Sequence, residues 1–162
     1  MKALLLIDIQ KGLTNRNLYC KELFIKTINE TIEKYRANNN QIIFVQHQNN
    51  QLVPNTADWE IDDNISVDKS DKFFYKDKGN AFTNQELVSF LKESNINDLL
   101  VGGLVSHGCV NHTCKGGIEN GFKISLLKNG HSCWNKDARE KIESTELALY
   151  GMGVNIVDIN TI

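Results

Sequence analysis

The chain has 162 residues, 41% of them hydrophobic and 23% charged, the proportions of an ordinary globular protein large enough to bury its own core. Its net charge of −2 leaves no basic footprint, so neither nucleic acid nor an anionic membrane is an expected partner. The apolar opening Met1-Lys-Ala-Leu-Leu-Leu-Ile meets Asp8 too soon for a signal core or a membrane span, and residues 1–162 read as a single cytoplasmic domain.

Ala3 to Ile7 forms a continuously apolar strand, the pattern of a parallel strand covered on both faces. It ends at Asp8-Ile-Gln10. A carboxylate there is either a turn or N-cap group or a catalytic acid/base at the upper edge of a parallel sheet. Residues Lys21 to Tyr35 carry Phe24, Ile25, Ile28, Ile32 and Tyr35 at helical spacing, which predicts a core-facing amphipathic helix ended by Asn38-Asn-Asn40. Ile42 to Val45 is a second buried strand, closing in Gln46-His47-Gln48. The polar stretch from Asn49 to Lys72 then reads as a long irregular loop, a length that usually carries function. His47 and Trp59 are candidates to line a pocket there, although Trp59 equally suits a core cap or a subunit interface.

Phe73 to Lys76 is predicted as a short strand. Lys76 follows three aromatic residues, so its ammonium is either partly desolvated or simply solvated within Lys76-Asp-Lys78. Thr83 with Glu86 has the spacing of a capping box, opening a helix that buries Leu87, Phe90 and Leu91 and ends near Glu93. Leu99 to Val101 follows as a strand, Gly102-Gly103 as a tight turn, and then a helix that Gly121 ends. This spacing puts Cys109 in the first helical turn, where free N–H groups and the macrodipole favour a thiolate. Phe122 to Leu127 is the next strand, and His131 after it suits a cap better than catalysis. Cys133 and Trp134 read as packing residues. Asp137 to Tyr150 is a helix using Ala138, Ile142, Leu147 and Leu149, and Val154 to Ile159 closes the sheet.

The four cysteines, Cys20, Cys109, Cys114 and Cys133, allow disulfides, but a reducing compartment argues against them. His107, Cys109, His112 and Cys114 have zinc-ligand chemistry without the paired spacing of a zinc site. On a helix only Cys109 and His112 would share a face. Neither G-x-G-x-x-G nor G-x-x-x-x-G-K-[ST] is present, so no nucleotide cofactor is expected.

Strands alternating with helices predict a three-layer α/β/α sandwich around a mainly parallel six-stranded Rossmann-like sheet. With strand order 3-2-1-4-5-6, the first and fourth strands are neighbours and the crevice opens at their carboxyl ends. Asp8, Cys109 and Lys76 then meet at one rim.

Asp8 with Gln10, Lys76 ahead of Ala81-Phe82, and Gly103-Leu-Val-Ser-His-Gly-Cys109-Val110-x-x-Thr113 together resemble the isochorismatase-like cysteine hydrolase superfamily, from Ala3 to Ile159. The resemblance implies an Asp-Lys-Cys triad of Asp8, Lys76 and Cys109. It also implies a cis peptide at Leu104–Val105 and an oxyanion hole from the N–H groups of Val105 and Cys109. Gln10, His47, Trp59, Phe82, Ser106 and His107 are assigned to the substrate pocket. The metal-binding Asp-x-His pattern of the nicotinamidase branch is replaced by Val45-Gln46-His47, so neither a metal nor any other cofactor is expected. The expected partners are a small-molecule substrate and further copies of the chain, as a homodimer or larger homo-oligomer. The expected activity is hydrolysis of an amide-type C–N bond through a Cys109 thioester. The alternatives are a vinyl-ether hydrolase using Asp8 without covalent catalysis, and a ligand-binding protein that keeps the fold.

Overall fold

The structure is a computed structural model that describes residues 1–134 and 136–162. Six strands form one sheet: β1 (Lys2–Ile7), β2 (Gln41–His47), β3 (Lys72–Lys76), β4 (Asp98–Leu104), β5 (Lys123–Ser132) and β6 (Asn155–Val157). Their order is β3-β2-β1-β4-β5-β6, and every pairing between them is parallel. The predicted sandwich and strand order therefore stand, with the sheet wholly rather than mainly parallel. The helices are α1 (Lys11–Thr14), α2 (Lys21–Ala37), α3 (Gln85–Glu93), α4 (Asn111–Glu119) and α5 (Ala138–Gly151). Among the described residues no helix is long and apolar enough to cross a membrane.

The alternation of β1 explains why the strand is apolar throughout. Ala3, Leu5 and Ile7 enter one core with Leu87, Leu91, Val110, Cys114 and Leu149. Leu4 and Leu6 enter the other with Phe24, Ile28 and Ile32 of α2. Each side chain is thus removed from water on its own face, worth roughly 1.5–3 kcal/mol for each leucine and isoleucine.

Several local expectations are corrected. Gly102 and Gly103 lie within β4, not in a turn. Gly103 has φ +125, and a Cβ there would fall on the carbonyl oxygen of Ile7, so glycine lets β1 and β4 close together at the switch point. The cap of α3 is Asn84, whose side-chain oxygen accepts from the N–H groups of Glu86 and Leu87 at 2.9 and 3.4 Å. Thr83 instead belongs to the short turn Ala81–Thr83 and donates to the Asn80 carbonyl. Leu147 points outward at 74% exposure while Thr145 is buried. The end of α4 is as predicted: Gly121, at φ +84, donates to Ile118 O, and the Phe122 N–H reaches Gly117 O, both at 3.0 Å. This is a Schellman closure that needs a left-handed residue.

The strand predicted to stop at Leu127 runs to Ser132. Its register slips, so that Val101 faces Leu126 but Gly103 faces His131. The bulge holds Lys128 and Asn129, the latter at φ 60, and the strand resumes beside the end of β4. His131 is therefore a strand residue near the carboxyl end of β5 and not a helix cap.

Candidate active site

Asp8 leaves β1 in the left-handed region, at φ 56, a conformation that a short polar side chain tolerates. Its N–H donates to Val45 O at 2.9 Å. The strand thus ends abruptly and the carboxylate turns in at the carboxyl edge of the sheet. Lys76, the last residue of β3, meets it there with its Nζ 3.0 Å from Asp8 Oδ2, the two side chains being 0% and 3% exposed. The same ammonium lies 2.7 Å from His47 Nδ1 and 3.1 Å from the Lys78 carbonyl. All three of its protons are then engaged. Because Lys76 donates, His47 Nδ1 is the accepting nitrogen.

Cys109 comes from the opposite side of the switch point. It lies in a single wide helical turn, Ser106–Val110, in which Gly108 departs from helical geometry at φ −111 and ψ −114. Its sulfur, a carboxylate oxygen of Asp8 and a ring nitrogen of His47 all lie within 4.8 Å of one another. Asp8, Lys76 and Cys109, 101 positions apart at the extremes, are thus brought together, with His47 as a fourth member. The Leu104–Val105 peptide is cis. Thr113 on α4 ties this region to the segment after β3, accepting from the Ala81 N–H at 3.1 Å and donating to the Gly79 carbonyl at 3.3 Å.

Burial sets the electrostatics. It raises the Asp8 carboxyl above the ordinary carboxylate range, with the Lys76 ammonium pulling against it. Burial, then the Asp8 charge, pushes the Cys109 thiol up to about 11. Burial and Lys76 hold His47 below the ordinary histidine value. Cys109 precedes α4 itself, and its burial opposes the thiolate that a helix start would favour. Lys76 engages Asp8 Oδ2, and the Cys109 thiol hydrogen-bonds the same carboxylate and can pass it a proton.

Asp8, His47 and Cys109 are a donor set that would suit a divalent ion. Lys76 already supplies a cation within 3.0 Å of the carboxylate and 2.7 Å of the imidazole, so a second positive charge would be repelled there.

The residues assigned to the substrate pocket divide. His47 and Cys109 are half-buried and form the accessible side of the cluster. Gln10 is wholly buried and clamps backbone: Nε2 donates to the carbonyls of His47 and Trp59 at 3.0 and 2.9 Å, and Oε1 accepts from the His47 N–H at 2.9 Å. These bonds fix the backbone of His47. Phe82 is buried in the core against Phe122, with ring centroids 5.4 Å apart. Ser106 is also buried, bonded to His131. His107 is exposed on the groove between α4 and α5, with Asn111, Lys115 and Lys141. Trp59 is half-buried against Tyr75, with centroids 5.5 Å apart. The clamp at Gln10 had no signal beyond its place after β1, and the His131 contact had none.

Residues 2–159 match the family model described as an isochorismatase domain. An isochorismatase family protein of Bacillus subtilis, YddQ, is 25% identical over 161 residues, covering 91% of this chain and 87% of its own. N-carbamoylsarcosine amidase of an Arthrobacter species is 32% identical over 74 residues, 45% of this chain and 28% of its own. A crystal structure of an isochorismatase family protein superposes with a TM-score of 0.91 at 27% identity, covering 96% of this chain and 97% of that one.

Proposed function

Since the chain belongs to the isochorismatase family of hydrolases, we propose that it cleaves an amide-type C–N bond in a small molecule through a thioester on Cys109. The observation that carries this reading is the meeting of Asp8, Lys76 and the Cys109 sulfur, from β1, β3 and the turn after β4. The similarity to N-carbamoylsarcosine amidase supports amide chemistry and is the reason to begin with carbamoyl compounds.

Asp8 takes the thiol proton as the sulfur attacks the carbonyl carbon, so the S–C bond forms as the carbonyl π electrons move to oxygen. Burial makes Asp8 a stronger base than a solvated carboxylate. The thiol, raised to about 11, is a strong nucleophile once deprotonated. The backbone N–H groups of Val105 and Cys109 receive the oxyanion, a contribution of about 3 kcal/mol per donor. Asp8 returns its proton to the leaving nitrogen as the C–N bond breaks. Water then attacks the thioester, Asp8 takes its proton, and the acid departs with the thiol restored. Lys76 keeps Asp8 ionised between steps. His47, held neutral by burial and Lys76, borders the reacting carbonyl.

A second reading has one observation in its favour: the raised Cys109 thiol fits a reaction in which Asp8 alone handles protons, as in vinyl-ether hydrolysis. An ammonia-release screen over small amides, ureas and carbamates, with Cys109→Ala beside the wild type, separates them. Release that Cys109→Ala abolishes supports the thioester route. Turnover surviving that substitution, or iodoacetamide treatment, sinks it.

A further inference from the structure

We propose that Ser106, His131 and Glu146 form a buried positioning relay that holds the turn bearing Cys109 in line with Asp8. This rests on the reading of Cys109 as nucleophile. Ser106 Oγ lies 2.7 Å from His131 Nδ1, and His131 Nε2 lies 3.1 Å from Glu146 Oε1. A carboxylate only accepts, so Nε2 donates to Glu146 and Nδ1 is left to receive the Ser106 hydroxyl.

The sequence hydroxyl–imidazole–carboxylate is that of a nucleophilic serine centre. Burial excludes that role, because Ser106 is 0% exposed and no substrate carbonyl can approach its oxygen. What remains is a holding function. Ser106 is the first residue of the Ser106–Val110 turn and directly follows Val105. The turn itself is held by Gly108 and Val110 donating to the Val105 carbonyl at 3.0 and 3.3 Å. With Gly108 outside helical geometry, those bonds alone leave the rotation of the turn loosely set. A side-chain bond from its first residue to an adjacent strand fixes it. The β5 bulge makes this possible by setting His131 opposite Gly103 and Ser132 opposite Leu104.

Glu146 reaches in from α5, its side chain 22% exposed. Together with His131 it lines a cleft of about 280 Å³ that also includes Lys128, Arg139 and Glu143. The relay thus runs from a surface cleft to the residue that starts the nucleophile's turn. These are positioning residues; none contacts the reacting atoms.

Ser106→Ala, Ser106→Thr and Glu146→Gln test the relay by two measurements. The first needs no substrate: the rate of Cys109 alkylation by iodoacetamide, read on the Cys109 peptide by mass spectrometry. A misplaced thiol should react about fivefold more slowly in Ser106→Ala and about twofold more slowly in Glu146→Gln, with Ser106→Thr restored. The second uses the amide found by the screen: kcat should fall about tenfold in Ser106→Ala with KM within about twofold. Loss of thermal stability with unchanged or faster alkylation of the folded protein overturns the proposal. If Ser106→Ala fails to fold, Glu146→Gln at the cleft rim decides in the same way. Should the wild type release no ammonia from any compound, the amide reading fails while alkylation still judges the relay.

Discussion

Two polar chains flank the turn that carries Cys109, and they are built on opposite terms. On one side Asp8, Lys76 and His47 bring a full ion pair into the protein, with the paired side chains at 3% and 0% exposure. On the other, Ser106, His131 and Glu146 keep their carboxylate at the surface and bury a hydroxyl and an imidazole. Burying a charge pair costs several kcal/mol in lost hydration and is recovered only with good geometry. Burying a hydrogen-bonded neutral group costs far less. The expensive arrangement stands where chemistry needs a displaced proton affinity, and the cheaper one where only placement is needed.

Substitutions that separate the two sides follow from this. Cys109→Ala and Asp8→Asn should each lower turnover at least about a thousandfold with the circular-dichroism spectrum unchanged. Activity within tenfold of wild type would collapse the distinction. Lys76→Met should cost about 3–5 kcal/mol at neutral pH because it strands the Asp8 carboxylate. Asp8 is already raised by burial, and without Lys76 it rises further. A carboxyl raised in the folded state penalises folding above its folded value, and the penalty fades as pH falls toward its ordinary value. Denaturant melts of Lys76→Met should therefore show the deficit shrinking between neutral pH and about pH 5, and an unchanged deficit would mean that Asp8 is not the stranded group. Gln10→Leu should lose about 2–4 kcal/mol by leaving the His47 N–H and carbonyl unpaired, the Trp59 carbonyl keeping Gln46, with KM raised as His47 shifts. In the free wild-type protein, iodoacetamide alkylation of Cys109 should keep accelerating with pH toward about 11. A plateau below pH 8 would contradict the buried thiol. Leu147→Lys, on exposed α5 surface, should change stability by no more than about 0.5 kcal/mol.

Strand order and the meeting of Asp8, Lys76 and Cys109 were legible because a parallel sheet leaves a period-free apolar run and a defined edge. Asp8 and Lys76 terminate such runs, where residue type alone also fits a turn aspartate and a solvated lysine; their convergence at one rim and the family resemblance single them out. Other features depend on contacts that no local pattern encodes. Asn84 outcompetes Thr83 as the α3 cap because the preceding turn has already engaged the threonine hydroxyl. Leu147 sits at a helical spacing that suits the core, yet α5 rotates Thr145 and Leu149 inward. The apolar run of β5 stops at Leu127, and only the pairing of β4 with β5 carries the strand on through a bulge to Ser132. Gln10 and Phe82 have chemistry that fits a pocket, but backbone groups of β2 claim the one and Phe122 the other.

The segment between β2 and β3 is pinned along its second half. Gln10 and Gln46 hold the Trp59 carbonyl, Thr14 holds Asp62 at 2.5 Å, and Arg36 grips Ser66 and Asp71. Residues 53–56 are exposed, and Thr56 bonds to chain neighbours, donating to the Val53 carbonyl and accepting from the Trp59 N–H. Rivets and free span thus lie within one stretch of chain. New side chains can be tried on residues 53–56 without breaking the side-chain bonds that hold the Trp59 carbonyl and the backbone of His47.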